Sequence, residues 1–227
     1  MKTKRPSAVL HEADALDAYM SSYLSDNDIS FESWIKRFDG GLYKSRNEKI
    51  VEFLREFSCR KVLEFACAGP FLADNIMREM ADIESYVCSN FSKDVIDYCR
   101  SYISSDRRFR TKLIDADVSR STDMHRHNIA DFDTFITTSL EHIQFDREMI
   151  KEMPTGSILV FSVALFDDPE HFHVFSSVRD VKRRYRGLLR IVRTWQDPTG
   201  SKIAVAAIRE DSATIKQRLF RRFARND

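Results

Sequence analysis

The sequence predicts an α/β protein: a seven-stranded, mostly parallel sheet with helices on both faces, finished by an antiparallel hairpin near the C-terminus. Three observations carry this reading. From about residue 45 onward, short apolar runs of strand length alternate with segments whose apolar residues have helical spacing. The runs are apolar almost throughout, as expected of parallel strands covered on both faces. The last two β-rich runs are separated only by Gln196-Asp197-Pro198-Thr199-Gly200-Ser201, a hairpin signal that makes them antiparallel.

Residues 1–45 read as a helical extension. Over residues 7–24, Ala13, Leu16, Ala18, Tyr19 and Tyr23 give helical spacing, and Asp26, Asn27 and Asp28 punctuate its end. A second helical stretch is expected over residues 31–38, broken by Asp39-Gly40-Gly41. The core domain then spans residues 46–210. Ile50, Val51, Phe53, Leu54 and Phe57 predict its first helix, and residues 61–66 its first strand. Helices over 73–80, 94–103 and 147–153 alternate with strands over 85–89, 111–115, 132–138 and 157–165. Residues 188–195 and 202–208 form the hairpin. Residues 211–227 read as a basic amphipathic helix, with Ile215, Leu219, Phe220 and Phe223 on one stripe.

The chain has 227 residues, of which 43% are hydrophobic and 31% charged, the composition of a globular domain able to bury a core. A net charge of +1 provides no overall field to recruit nucleic acid. Cys59, Cys67, Cys88 and Cys99 form no CxxC pair and no zinc spacing. With no secretory h-region and no apolar run near the roughly 20 residues of a membrane span, reduced thiols in a cytoplasmic protein are expected.

Four stretches carry a family likeness. The first is Val62-Leu63-Glu64-Phe65-Ala66-Cys67-Ala68-Gly69-Pro70-Phe71-Leu72, a strand with an acidic residue, a turn of small residues and the start of a helix. The second is Tyr86-Val87-Cys88-Ser89-Asn90-Phe91-Ser92, and the third Leu113-Ile114-Asp115-Ala116-Asp117-Val118. The fourth is Phe132-Asp133-Thr134-Phe135-Ile136-Thr137-Thr138-Ser139-Leu140-Glu141-His142-Ile143. In this order they resemble class I S-adenosylmethionine-dependent methyltransferases over roughly residues 45–210. The Leu-Glu-His-Ile ending is similar to that of ubiquinone-biosynthesis-type and other small-molecule members.

The resemblance implies an S-adenosyl-L-methionine site formed by Glu64, Ala66, Cys67, Ala68, Gly69, Asn90, Phe91, Asp117, Val118 and Ser139. Open α/β sheets bind ligands beyond the carboxyl ends of their strands, where these residues would lie. Two departures stand out. The family's GxGxG turn is degenerate, with Ala66, Ala68 and Pro70 at its glycine positions; alanine resists the positive φ that glycine allows. Asn90 replaces the usual Asp or Glu and lacks the charge that strengthens a contact to ribose hydroxyls.

Glu141 and His142 follow the fourth parallel strand, where acceptor and methyl group meet in the family. His142 is the first choice for a general base, because free imidazole titrates near neutrality; the alternative is a histidine that only packs there. His171, His173 and Tyr43 are expected to face the substrate. The histidines, with Glu141 and His142, have mixed carboxylate and imidazole chemistry, but the preferred reading is a polar loop without a metal. His125 and His127 read as a solvated loop. The expected activity is methyl transfer to an O or N atom of a small metabolite. The rival readings are an inactive binding or regulatory relative, and an RNA or protein methyltransferase using the basic residues around 182–193 and 216–225.

Overall fold

The computed structural model describes residues 21–113, 128–168 and 171–211. Asp117, Val118, His125, His127 and the expected C-terminal helix lie outside the described residues, as does most of the first expected helix. In the described parts the sheet has seven strands: β1 (Lys61–Phe65), β2 (Ser85–Asn90), β3 (Phe109–Leu113), β4 (Thr134–Thr137), β5 (Ile158–Ala164), β6 (Leu189–Gln196) and β7 (Lys202–Arg209). Their spatial order is β3-β2-β1-β4-β5-β7-β6. The pairs from β3 through β5 are parallel, while β7 runs antiparallel to both β5 and β6. This is the architecture the sequence predicts.

The strand order places its reversal between β1 and β4, so loops leaving both open a crevice at their carboxyl ends. Successive strand residues point to opposite faces. Val62, Ile136, Val160, Ala204 and Ala206 pack on one face with Ile50, Leu54 and Ile76. Leu63, Phe65, Phe135, Leu159, Phe161 and Val205 fill the other face with Met149, Ile150 and Val181. Every residue of β4 and β5 is buried, which explains why their sequences lack alternation. Each large apolar side chain so removed from water contributes roughly 1.5–3 kcal/mol.

Among the described residues the sheet is accompanied by the helices α1 (Phe31–Lys36), α2 (Gly41–Leu54), α3 (Phe71–Glu79), α4 (Lys93–Tyr102), α5 (Asp146–Glu152) and α6 (Val178–Arg184). Ser30, Ser92 and Ser177 cap α1, α4 and α6 by accepting backbone N–H groups. The helix α2 starts at Gly41, whose φ of +54° suits glycine, and runs through residue 45. The glycine pair thus separates α1 from α2 and also begins the first core helix earlier than expected. The hairpin turn is pinned by Asp197, whose Oδ1 accepts from the Ser201 backbone at 2.8 Å, with Gly200 at φ +76°. None of the helices among the described residues is long and apolar enough to cross a membrane.

Candidate active site

The chain leaving β1 turns sharply at Ala66, which holds φ +51° despite its Cβ. Interstrand bonds hold the turn in place. The Cys67 amide donates to Ser89 O at 2.9 Å, and Ser89 Oγ donates to Glu64 O at 2.7 Å. Asn90, at the end of β2, donates from Nδ2 to Cys67 O at 2.7 Å, while its Oδ1 accepts the Ser92 amide at 2.7 Å. The Asn90 side chain therefore ties the loop to β2, and Phe91 beside it is half-buried. Gly69 serves closeness of packing: a Cβ there would lie 3.2 Å from Ile35 Cγ1 of α1. Pro70 precedes α3 as its N-cap.

Glu64 is buried under this loop, accepting from Tyr86 Oη at 2.8 Å. Burial pushes its carboxyl up to about 8, against the opposing hydrogen bond from Tyr86. The four cysteines are buried and unbridged. Burial also drives the Cys67 thiol well above its usual range, in keeping with a packing role.

The first turns of α2 bring Tyr43 and Arg46 over the crevice. Arg46 is only 3% exposed and makes no ion pair among the described residues. Its guanidinium donates to Asn47 Oδ1 at 2.9 and 3.2 Å and to Thr138 O at 3.4 Å. Burial lowers its pKa to about 10, against the attraction of Tyr43, Glu64 and Glu141. Two cations lie close to the Tyr43 ring, the Arg46 guanidinium at 5.1 Å and Lys202 Nζ at 4.9 Å from its centroid. Phe38, Arg46, Asn47, Glu64, Ala68 and Thr138 are among the residues that border a cavity of about 10 Å³. That is roughly the room one water needs.

The chain leaves β4 through half-buried Ser139 into a single 3-10 turn, Leu140–His142. Glu141 points inward: its Oε1 accepts the Ala164 amide at 3.0 Å, while its buried Oε2 meets no hydrogen-bond donor among the described residues. Burial raises its carboxyl pKa. His142 is exposed, with its ring edge-on to that of His171 at 4.9 Å. His171 is buried; its Nδ1 lies 3.1 Å from Phe166 O and its Nε2 4.0 Å from Glu141 Oε1.

The structure thus gathers Tyr43, Glu141, His142 and His171 at one edge, with Glu64 and the Ala66–Gly69 loop residues below them. His173 goes elsewhere. Its Nε2 is 3.3 Å from Asp146 Oδ1 and 2.8 Å from Arg184 Nη2. Asp146 also receives two 2.6 Å bonds from Arg184 and one from Tyr185 Oη at 2.6 Å. Burial alone would raise Asp146, but the bonds from His173, Arg184 and Tyr185 outweigh it and hold the carboxyl at about 2. His173 consequently fastens the loop after β5 to α5 and α6. The basic residues around 182–193 are also largely spent internally: Arg183 pairs with Asp180, Arg190 with Glu210 and Arg193 with Glu56.

Lys202 is a site residue the sequence did not reveal. It opens β7 and pairs with Ala164 at the end of β5. Once β7 is known to be antiparallel, its first residue must lie at the carboxyl edge of the parallel strands, so topology contained the signal.

No family model matches the sequence, and no curated protein matches it. The fold does have counterparts among solved structures. An N-methyltransferase, NodS from Bradyrhizobium japonicum WM9 in complex with S-adenosyl-L-homocysteine, is 14% identical with a TM-score of 0.62. The match covers 85% of this chain and 98% of that one. The CMeT domain of the citrinin polyketide synthase is 11% identical with a TM-score of 0.64, over 90% of this chain and 67% of that one. The CurJ carbon methyltransferase is 13% identical with a TM-score of 0.63, over 80% and 59%.

Proposed function

Proceeding from the fold that this chain shares with S-adenosylmethionine-dependent methyltransferases, we propose that it binds S-adenosyl-L-methionine and transfers its methyl group to an O or N atom of a small molecule. The observation that carries the reading is Arg46, a buried guanidinium with no carboxylate in ion-pair contact among the described residues, at the edge where the sheet order reverses. Burying a charge unpaired is costly, so this position calls for an anionic ligand. The cofactor's amino-acid carboxylate supplies one, and Tyr43 stacks against the same guanidinium. The small residues Ala66, Ala68 and Gly69 let a ligand approach the backbone of the turn.

The ribose end fits less conventionally. Asn90 has its amide committed to Cys67 and Ser92, leaving one lone pair on Oδ1 for a hydroxyl. The expected adenine contacts, Asp117 and Val118, lie outside the described residues. A ligand this size needs several hundred Å³, and the cavity offers about 10 Å³. Admitting the cofactor therefore requires the elements that border the cavity to move apart.

When bound, the cofactor supplies an electrophilic methyl carbon on a sulfonium. The chain's part is to orient the acceptor, which alone supplies much of such a rate, and to manage its proton. Glu141 and His142 are placed for this by the turn after β4, and His142 is the exposed member that can exchange a proton with solvent. Internal pairing of the arginines around 182–193 favours a small acceptor over a polyanion. The test is thermal melting with either S-adenosylmethionine or S-adenosylhomocysteine. At a hundredfold excess over Kd, binding adds about 2.7 kcal/mol, a rise of roughly 5–11 °C for a domain this size. No shift with either ligand at millimolar concentration refutes the proposal.

A further inference from the structure

We propose that Glu141, His142 and His171 hold one divalent first-row metal ion, of the borderline class that accepts imidazole and carboxylate ligands together. One ligand atom from each residue lies within 4.8 Å of the other two. An ion bound tetrahedrally at about 2.0–2.2 Å would bring such atoms to about 3.3–3.6 Å from one another. That contraction is small enough for side-chain rotation, because all three groups sit on the turn after β4 and the loop after β5.

The orientation of each buried ligand points the same way. The Phe166 carbonyl can only accept, so His171 donates to it from Nδ1, and Nε2 is the nitrogen turned toward Glu141 Oε1 at 4.0 Å. At 4.0 Å the two groups are too far apart to hydrogen-bond directly, and a cation between them would bind both. Glu141 has an oxygen to spare: Ala164 fixes Oε1, and Oε2 is buried without a donor among the described residues. An unsatisfied buried oxygen costs about 1–3 kcal/mol. Lys202 faces this carboxylate from β7 but makes no ion pair with it among the described residues. Contacts from Phe166 O and the Ala164 amide are the kind that orient metal ligands from behind. They are also backbone groups, which is why the histidines read from sequence alone as a polar loop.

Three protein ligands leave coordination positions for water or a substrate atom, as catalytic sites do. His142, being exposed, puts those positions on the solvent side of the crevice. Resting on the methyltransferase reading above, the ion would select an acceptor bearing a hydroxyl. The bound hydroxyl would release its proton to solvent. Its oxygen would then form the bond to the methyl carbon as the C–S bond breaks and the electron pair returns to sulfur. In that state His142 ligates the metal and is not the base.

The test needs no cofactor. The full chain, freed of metal by a chelator, is titrated with Co²⁺. One equivalent should bind with visible d–d absorption, without the near-ultraviolet band of a cobalt thiolate, and Zn²⁺ should displace it. Glu141→Gln and His142→Ala should each weaken binding tenfold or more; His142 is exposed, so its removal leaves folding intact. A thiolate band that disappears in Cys99→Ser would overturn the proposal, placing the ion instead among Cys67, Cys88 and Cys99, whose sulfurs also lie within 4.8 Å of one another. Unchanged affinity in both ligand variants, or no binding at millimolar Co²⁺, would do the same. None of these results depends on S-adenosylmethionine, so a failed metal site and a failed methyltransferase reading are separable.

Discussion

Ala66→Gly should make the protein more stable, contrary to the usual effect of adding a glycine. Ala66 sits at φ +51°, where its Cβ crowds the following carbonyl. An L-residue held there costs roughly 1–2 kcal/mol. Glycine removes that strain but frees the unfolded chain, which costs about 0.4–1 kcal/mol. The lost methyl is half-buried and contributes little. The balance favours glycine by about 0.5–1 kcal/mol, or a Tm rise of roughly 1–4 °C for a domain of this length. Ala68 is the control. It is equally half-buried, two residues away, and has no positive φ. Ala68→Gly should therefore lower stability by about 0.4–1 kcal/mol. Paired thermal melts and urea titrations of both variants measure the difference in sign. If Ala66→Gly destabilises as much as Ala68→Gly, the turn is unstrained and the account of the degenerate glycine motif is wrong.

Two further predictions concern buried carboxylates. Glu64 is raised to about 8 from 4.5, so its contribution is fully present below 4.5 and is lost as pH rises to about 8. Wild-type stability should fall across that window by up to about 1.4 kcal/mol per pH unit, and Glu64→Gln should flatten the profile; an unchanged slope in the variant would place its origin elsewhere. Asp146 is lowered to about 2 from 3.8, so its contribution holds above 3.8 and disappears as pH falls toward 2. It amounts to about 2 kcal/mol, and Asp146→Asn should remove the acid-side loss while costing about 2–3 kcal/mol at neutral pH by leaving Arg184 unpaired. Urea titrations at pH 3, 5 and 7 check both, and a neutral Asp146→Asn would show the His173 network to be dispensable.

Much of the sheet was legible because buried parallel strands write themselves as apolar runs. The β5 run is buried at every position, and the Asp197 to Ser201 turn announced the antiparallel end. The helix α6 was not legible: its one buried residue is Val181, so the segment has no apolar period and reads only as a basic stretch. In the site, Glu141 and His142 stood out by position, whereas the features that define their chemistry are backbone atoms, Ala164 N and Phe166 O, which have no residue signature. Position also drew attention to Asn90 but did not show that its amide is spent on the loop. His173 looked equivalent to His171 two residues earlier; only the tertiary placement of Asp146 and Arg184 separates them.

Arg46 decides the central claim, and isothermal titration with S-adenosylhomocysteine against wild type and Arg46→Met measures it most directly. Methionine keeps the length of the side chain and removes a buried charge that has no ion-pair partner among the described residues, so Tm should hold or rise. If the guanidinium meets the ligand's carboxylate, its loss should cost about 2–5 kcal/mol of binding, at least a tenfold rise in Kd. Micromolar binding to wild type and that loss in an undamaged variant is the predicted result. Equal affinity in the two proteins, or no heat from either, contradicts the account.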